Sequence, residues 1–571
     1  MTQFTIDQAM PIALQHHQAG RLAEAEAIYC QVLAGQPNHP DALHLLGDIA
    51  LQTGRLDMAI VSIRRAVAAN PGIAEFHNSL GNALNEKKLF DEAITALRRA
   101  IQIKPAYAEA QNNLGISLRG KGLLDESIAA YRQAIAFSPK YAEAHSNLGN
   151  ALKDQKKLDE AIAAFHAAIA LNPKSPEVHN NLGVALRQNG QLAEAVAAYQ
   201  RALALRPNHA ETHSNLGVAL RDQGQLNEAI AAYEQAIALR PSYAEAHYNL
   251  SLALLARGDL QQGWDEYDWR GKCEDISPPR NFTRPPWDGC PLEGRTILLY
   301  TEQGFGDALQ FVRYLPLVAR RGGKIIVGCQ AELQRLFQTA AAECQIVVPG
   351  EFLPPFDFHC SLLSLLRVFG TTLANIPNIV PYLRADAEDI RRWQQRLANE
   401  SPLVNVGLAW AGSPRHKNDR NRSTTLARLA PLGEVPGVRF VSLQKGEPAI
   451  IMSTAAAESE RKISSAGLQL VDWTQELKDF GDTAGLIANL DLVIAVDTAV
   501  AHLAGAMGKP VWTLLPFAPD WRWMLEREDS PWYPTMRLFR QKTLGDWKEV
   551  IDRVARALSD YSRVAQQSAE N

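Results

Sequence analysis

The stretch AEAHSNLGNALKDQKKLDEAIAAFHAAIALNP, residues 142–173, decides how the first half of the chain reads. It is a pair of helices closed by a proline, and its landmarks return at a fixed step. Prolines fall at 37, 71, 105, 139, 173, 207 and 241, each 34 residues after the last. Ten residues on come Gly47, Gly81, Gly115, Gly149, Gly183 and Gly217, with Ser251 in the seventh slot. Small residues recur at Ala25, Ala59, Ala93, Ser127, Ala161, Ala195 and Ala229, and large apolar ones four places later at Tyr29, Ile63, Leu97, Tyr131, Phe165, Tyr199 and Tyr233. The small positions let the two helices of a unit approach, the large side chain fills the space between them, and the proline ends the second helix. No single unit buries its apolar face, so stacking makes one continuous core and winds the array into a superhelix with a concave groove.

This 34-residue pattern is the signature of tetratricopeptide (TPR) repeats. The array is expected over residues 1–277 as about eight units, the last degenerate but keeping Gly263 and Tyr267. A second ladder lies on the same lattice: Asn113, Asn147, Asn181, Asn215 and Asn249, with Leu45 and Ser79 in the earlier slots. An amide offers donors and an acceptor together, so such a ladder can hold a peptide unit with little regard to its side chains. The bland alternative is that these Asn bond to neighbouring repeats. The quoted repeat resembles those of the O-linked N-acetylglucosamine transferases, and that resemblance implies that the Asn ladder grips an acceptor polypeptide. Two residues before each Asn there is usually a His, namely His77, His145, His179, His213 and His247. Successive copies sit roughly 10 Å apart, too far to share one metal ion, so they read as packing residues.

The totals bound the rest. A chain of 571 residues with 46% hydrophobic and 21% charged residues is ordinary globular material of two to four domains. A net charge of -4 without a long basic run gives no sign of nucleic-acid binding. The six cysteines form no CxxC pair and read as reduced thiols of a cytoplasmic protein. No signal peptide is read in residues 1–18, and the most apolar stretch, Leu490 to Leu515, is broken by Asp491, Asp497, His502 and Lys509, which argues against a membrane span.

The period is lost after Gly263, and residues 278–294, rich in Pro, Gly and Trp, read as an ordered connector. Beyond it the pattern turns to short apolar runs between helices: 296–300, 324–328, 345–348, 404–409, 438–443, 492–496 and 510–515. Such alternation implies parallel sheets covered on both faces. Two Rossmann-like halves are expected, residues 295–395 on the acceptor side and 396–560 on the donor side, before a polar tail at 561–571. Ligands of such folds bind at the carboxyl ends of the strands.

Two strand-to-helix junctions stand out. In TILLY-TEQGFGD the glycines Gly304 and Gly306 permit a sharp turn and Asp307 sits at a helix start, which by itself is ordinary capping. In LVIAV-DTAVAH a strand runs through Asp497 and Thr498 into a helix whose first turn has free N–H groups, a ready site for a diphosphate. Together, in this order, they resemble the heptosyltransferase-related glycosyltransferases (family 9 type, GT-B fold). The resemblance implies that Asp307 is the general base and that Asp497, Thr498 and His502, in the slot of the family's DTGxxH segment, bind the donor phosphates. Ala499 replaces the glycine of that pattern, which leaves the donor sugar open. The family also places a lysine after the first strand of the second half, matched here by Lys417, with Arg415, Arg420 and Arg422 beside it to neutralise a leaving diphosphate; a solvated basic loop is the bland alternative. Gln444 is expected at the nucleoside. Asp357 and His359 could reach the cleft, and Asp520–Tyr533 either line the sugar pocket or cover the domain edge. No DxD motif appears, and neither a metal nor a cofactor is expected.

The fold class expected is therefore an all-α TPR superhelix followed by an α/β GT-B-like domain. The expected function is transfer of a sugar from a nucleotide sugar to Ser or Thr of a polypeptide in the TPR groove. The architecture looks like soluble bacterial glycosyltransferases that modify flagellin, a resemblance that implies flagellin as an acceptor; homodimerisation is left open, since TPR faces often dimerise. The alternatives are an inactive glycosyltransferase-like scaffold and a glycan-directed, heptosyltransferase-like transferase.

Overall fold

The computed structural model describes residues 6–276, 280, 282–340, 343–398, 404–416, 418–446, 461–465 and 467–570. The chain divides into two compact units, Met1–Ala219 and Leu220–Asn571.

The first unit is built of helix pairs at the expected step, from Ile6–Gln18 with Leu22–Gly35 to Pro176–Gln188 with Leu192–Leu205. Each second helix stops one residue before the residue that precedes proline, and that residue is extended: Asn70 has φ −145° and ψ 89°, Asn172 φ −137° and ψ 86°. Clash with the proline ring excludes the helical region there, which sets the boundary of every repeat. Within pairs the glycines do what their spacing suggested. A Cβ on Gly115 would lie 2.5 Å from the Tyr131 ring, one on Gly149 2.7 Å from Phe165, and one on Gly183 2.6 Å from Tyr199. These large side chains are fully buried, as are the small residues of the second helices, Ala59, Ala93, Ala161 and Ala195. The recurring His is a structural brace: Nε2 of His77, His145, His179 and His213 meets the carbonyl oxygens of Pro71, Pro139, Pro173 and Pro207 at 2.9–3.1 Å, so each ties a helix to the turn before it.

The second unit begins with the last repeats (Leu226–Leu239, Ala244–Arg257 and the short Leu260–Tyr267) and continues into an α/β region. The first sheet holds β1 (Thr296–Tyr300), β2 (Lys324–Gly328), β3 (Gln345–Val347) and β4 (Phe358–Ser361), all parallel, in the order β3-β2-β1-β4. The second holds β5 (Val404–Ala409), β6 (Val438–Ser442), β7 (Arg461–Ser465), β8 (Leu468–Asp472), β9 (Leu492–Val496), β10 (Val511–Leu515) and β11 (Met536–Arg540). Its order is β11-β10-β9-β5-β6-β8-β7, with only β7 antiparallel to its neighbour. All seven expected strands are present. The four additional ones, β4, β7, β8 and β11, are shorter in apolar run or mixed with charge, as in MRLFR, and pair at or beside sheet edges.

β9 and β10 are buried at every position, which is why they read as unbroken apolar runs. The last helix, Trp547–Glu570, covers the second sheet with Val550, Ile551, Val554 and Leu558. Residues 561–570, expected as a polar tail, continue this helix: Tyr561 and Ala565 still pack against the same core, and the Ser562 hydroxyl donates to the Pro436 carbonyl at 2.9 Å.

The end of the repeat series is anchored on the α/β region. Trp264 is buried and its indole N–H donates to the Thr371 carbonyl at 2.7 Å, with its ring 5.1 Å from that of Trp521. Arg270, also buried, donates to Glu302 at 3.0 Å and to Ser364 at 2.8 Å. Glu302 lies in the loop after β1, so the end of the repeat series braces the glycine-rich turn.

Candidate active site

The loop after β1 is held from three sides. Gln303 takes a left-handed conformation (φ 58°), a strain of roughly 1–3 kcal/mol that the surroundings must impose. Gly304 caps the helix Phe305–Phe311, and its N–H donates to Asp307 Oδ2 at 3.0 Å. The other oxygen, Oδ1, accepts from Arg522 Nη2. Arg522 is itself buried; it donates to Gln310 Oε1 at 2.6 Å and to Asp520 Oδ1 at 2.8 Å. Burial drives the Asp307 carboxyl above its ordinary pKa, and the Arg522 guanidinium opposes that rise. For Arg522 the order reverses: burial works against its charge, but Asp520 and Asp307 outweigh it and hold it protonated.

The second junction follows β9. Thr498 caps the helix Ala499–Ala506, its hydroxyl accepting the Val500 N–H at 3.2 Å. Small residues bring neighbours close: a Cβ on Gly505 would lie 2.6 Å from Tyr533. His502 is boxed in, with Nδ1 2.9 Å from the Tyr533 hydroxyl and its face stacked on Trp523 at 5.4 Å and 23°. Its Nε2 stands 3.7 Å from Asp497 Oδ1. Burial, then Arg522, Arg313 and Arg422, push the imidazole well below its ordinary pKa, so it is neutral. Burial and Asp520 push Asp497 up to about 6.

The two junctions meet. A Cβ on Gly306 would sit 2.9 Å from His502 Cδ2 and 3.7 Å from the Ala499 Cα. Gly306 is thus needed for close approach between the halves, a role its place in a turn did not announce.

The loop after β5 lies beside this second junction. Gln444, expected at the nucleoside, is buried and braces this loop: Oε1 accepts the N–H groups of Trp410 and Ala411 at 2.9 and 2.8 Å, and Nε2 donates to the Ala411 carbonyl at 3.1 Å. Lys417 lies outside the described residues. Arg420 is exposed, whereas Arg422 folds inward across Gly412 and donates to the Asp497 carbonyl at 3.3 Å. Asp357 is not at the cleft. Its carboxylate accepts the Thr296 N–H at 2.8 Å, at the amino end of β1, opposite the carboxyl ends where ligands bind. His359 lies in β4 among Phe282 and Tyr300.

Sequence reasoning did not single out Arg522, Asp520, Tyr533 or Arg313. The first three lie in the aromatic-rich stretch 520–533, where no spacing rule says which side chain turns inward. Among the described residues no group of three or more His, Cys, Asp or Glu is arranged to hold a metal ion, and no helix is long and apolar enough to cross a membrane.

The Asn ladder is half-buried at each position. Asn113, Asn147 and Asn215 each donate from Nδ2 to Oδ1 of Asn78, Asn112 and Asn180 in the preceding repeat, at 3.0–3.1 Å. One donor of each amide is thus spent between repeats. Asn181 occupies the same register, and in the second unit Asn249 faces Arg221 Nη1 at 3.5 Å.

Comparison with known proteins fits both parts. Models of tetratricopeptide repeats match residues 16–83, 81–122, 117–156, 146–210, 198–231 and 218–258, and the model of glycosyltransferase family 9 (heptosyltransferase) matches residues 451–524. The chain thus carries TPR repeats across its N-terminal part and a segment similar to glycosyltransferase family 9 at residues 451–524, which supports a glycosyltransferase role.

Among individual proteins it is similar to Protein FlbA of Caulobacter vibrioides (strain ATCC 19089 / CIP 103742 / CB 15), 29% identical over 325 residues. That alignment covers 53% of this chain and 52% of FlbA, so the chain spans about half the length of this relative. Similar solved structures include MamA (27% identity, TM-score 0.27, 28% of this chain and 95% of that one). Another is the APC/C hetero-tetramer Cut9-Hcn1 (20% identity, TM-score 0.37, 47% and 53%).

Proposed function

We propose that the protein is a metal-independent, GT-B-type protein glycosyltransferase that moves a sugar from a nucleotide sugar to a Ser or Thr hydroxyl of a polypeptide bound by the repeats. The observation that carries this reading is the apposition of Gly306 and His502, which sets the Asp307 loop of one half against the Asp497–His502 segment of the other. In the reaction Asp307 takes the proton of the acceptor hydroxyl, whose oxygen bonds to the anomeric carbon as the bond from that carbon to the diphosphate breaks. The departing charge is received by the first-turn N–H groups of Ala499–Ala506 and by Arg420 and Arg422, with Lys417 and Gln444 as further donor-binding residues. Asn113, Asn147, Asn181, Asn215 and Asn249 hold the acceptor backbone with the amide groups not spent between repeats. Flagellin is the acceptor to try first, and the cytoplasm is the compartment where nucleotide sugars are at hand.

The test is intact-mass spectrometry of proteins that copurify with the full chain, from cells with and without the gene. A captured protein that loses a sugar-sized mass in the deleted strain supports the reading; partners of unchanged mass reject it. A scaffold role is the second reading, favoured by the engagement of both Asp307 oxygens by Gly304 and Arg522. Absence of nucleotide binding by the chain would select it.

A further inference from the structure

The buried groups behind the helix Ala499–Ala506 form a chain that ends at one nitrogen. Arg313 is buried and, among the described residues, has no carboxylate partner. Its donors go to the Trp532 carbonyl at 2.7 Å, the Tyr382 hydroxyl at 2.8 Å and the Gln310 carbonyl at 2.8 Å. Its guanidinium carbon lies 4.6 Å from the centre of the Tyr533 ring. Tyr533 is fully buried, and its hydroxyl is 2.9 Å from His502 Nδ1. A phenol hydroxyl facing a neutral imidazole can donate to a bare ring nitrogen; if Nδ1 carried the proton, the phenol would have to accept and turn its own hydrogen elsewhere. Burial, and after it the neighbouring Tyr382 hydroxyl, holds the Tyr533 hydroxyl protonated, well above its ordinary pKa, so it has a hydrogen for which His502 Nδ1 and the Tyr382 oxygen compete. On the other edge Nε2 faces Asp497 Oδ1 at 3.7 Å, beyond hydrogen-bond range, beside the first turn of the helix and under Gly306.

We propose that Tyr533, held in place by Arg313, is the positioning residue that fixes His502 in its Nε2–H form, so that the imidazole is a neutral hydrogen-bond donor to a diphosphate oxygen of the donor nucleotide. This rests on the glycosyl-donor reading above for the ligand but not for the tautomer. The charged groups around His502 agree with the assignment: Arg522, Arg313 and Arg422 disfavour a second proton on the ring, and the acidic Asp497 stands on the Nε2 side. A neutral donor here supplies a hydrogen bond without a proton that could leave with the nucleotide.

The test is long-range nitrogen–proton NMR of the full chain carrying ¹⁵N-labelled histidine, with the His502 signals assigned by His502→Gln, at neutral pH. Wild type should show Nε2 protonated and Nδ1 bare. Tyr533→Phe keeps the ring under Arg313 and removes only the hydroxyl; it should release His502 into a mixture of tautomers. It should also weaken binding of the tightest of UDP, GDP, ADP and CDP about fivefold to tenfold, the loss of one oriented hydrogen bond. An Nδ1–H form in wild type, or an unchanged tautomer and affinity in Tyr533→Phe, overturns the assignment. A wild-type chain with the expected tautomer that binds none of the four nucleotides overturns the ligand given to Nε2, and the glycosyl-donor reading with it, while leaving the tautomer established.

Discussion

Arg335→Gln should loosen the two halves of the α/β region from one another. Arg335, on the helix Gln334–Ala340 that follows β2, reaches into the second half. It donates to both oxygens of Asp479 at 2.9 and 2.7 Å, to Asp482 at 2.9 Å and to Asp389. Asp389 lies on the helix Ala387–Leu397 between the sheets, and Asp479 and Asp482 open the helix Phe480–Ala488. Breaking a buried ion pair costs about 3–5 kcal/mol. The loss here is smaller, because Arg335 is 41% exposed and each carboxylate keeps another partner: Arg392 for Asp389 and Asp482, and the Asp482 N–H for Asp479. We expect about 2 kcal/mol. For a unit of this size that is a fall of about 3 °C in its unfolding midpoint, and about thirtyfold faster hydrogen exchange in residues 334–340 and 480–488 if separation of the halves limits exchange. The pH dependence has a definite sign. Burial raises the carboxyls of Asp479 and Asp482, but their hydrogen bonds to Arg335 and Arg392 leave both below their ordinary values. Their stabilisation is therefore full above the unfolded carboxylate pKa, about 4, and is lost as pH falls through the lowered values. The gap between wild type and Arg335→Gln should close in that window. Equal exchange in the two proteins at neutral pH would refute the cluster as a latch between the halves.

Three further outcomes follow from the geometry. The turn inside each repeat is left-handed at Gly20, Gly54, Gly122, Gly190, Gly224 and Gly258, but at Lys88 and Lys156 in two repeats. Lys88→Gly and Lys156→Gly should each stabilise the repeats by about 0.5–1 kcal/mol, read by denaturant unfolding, since glycine removes the Cβ strain at the cost of some unfolded-state entropy. Gly183→Ala should destabilise by about 1–3 kcal/mol, because its Cβ would meet the buried Tyr199 ring at 2.6 Å and overpacking exceeds the helix-propensity gain; a rise in the unfolding midpoint would contradict this. Asp497 sits where an anionic diphosphate is proposed and is pushed up to about 6, so nucleoside diphosphate affinity, read by calorimetry, should rise as pH falls through that value. Asp497→Asn should flatten the profile; an unchanged profile would place the ligand elsewhere.

The repeats were legible because each landmark acts within one 34-residue unit and recurs. A glycine facing an aromatic, or a proline behind a helix end, needs no distant partner to be understood. The strands with unbroken apolar runs were legible for a similar reason: burial on both faces leaves its mark on every residue. The strand Met536–Arg540 escaped because Arg537 and Arg540 interrupt its pattern. His77 and its copies could be set aside as metal ligands from spacing, but the proline carbonyl each one holds became visible only with the turn in place.

What the sequence determined by itself is the order of the parts: a repeat array followed by two sets of strands, with Asp307 and Asp497–His502 at strand ends. Only the tertiary structure decided which side chains share a site. Arg522 is separated from Asp307 by 215 positions and Tyr533 from His502 by 31, and neither interval follows a helix or strand period. Periodicity reports which face of an element is buried, because water acts on each residue locally. It says nothing of which buried polar group meets which, since that depends on how whole elements pack and on the partner each desolvated charge must find.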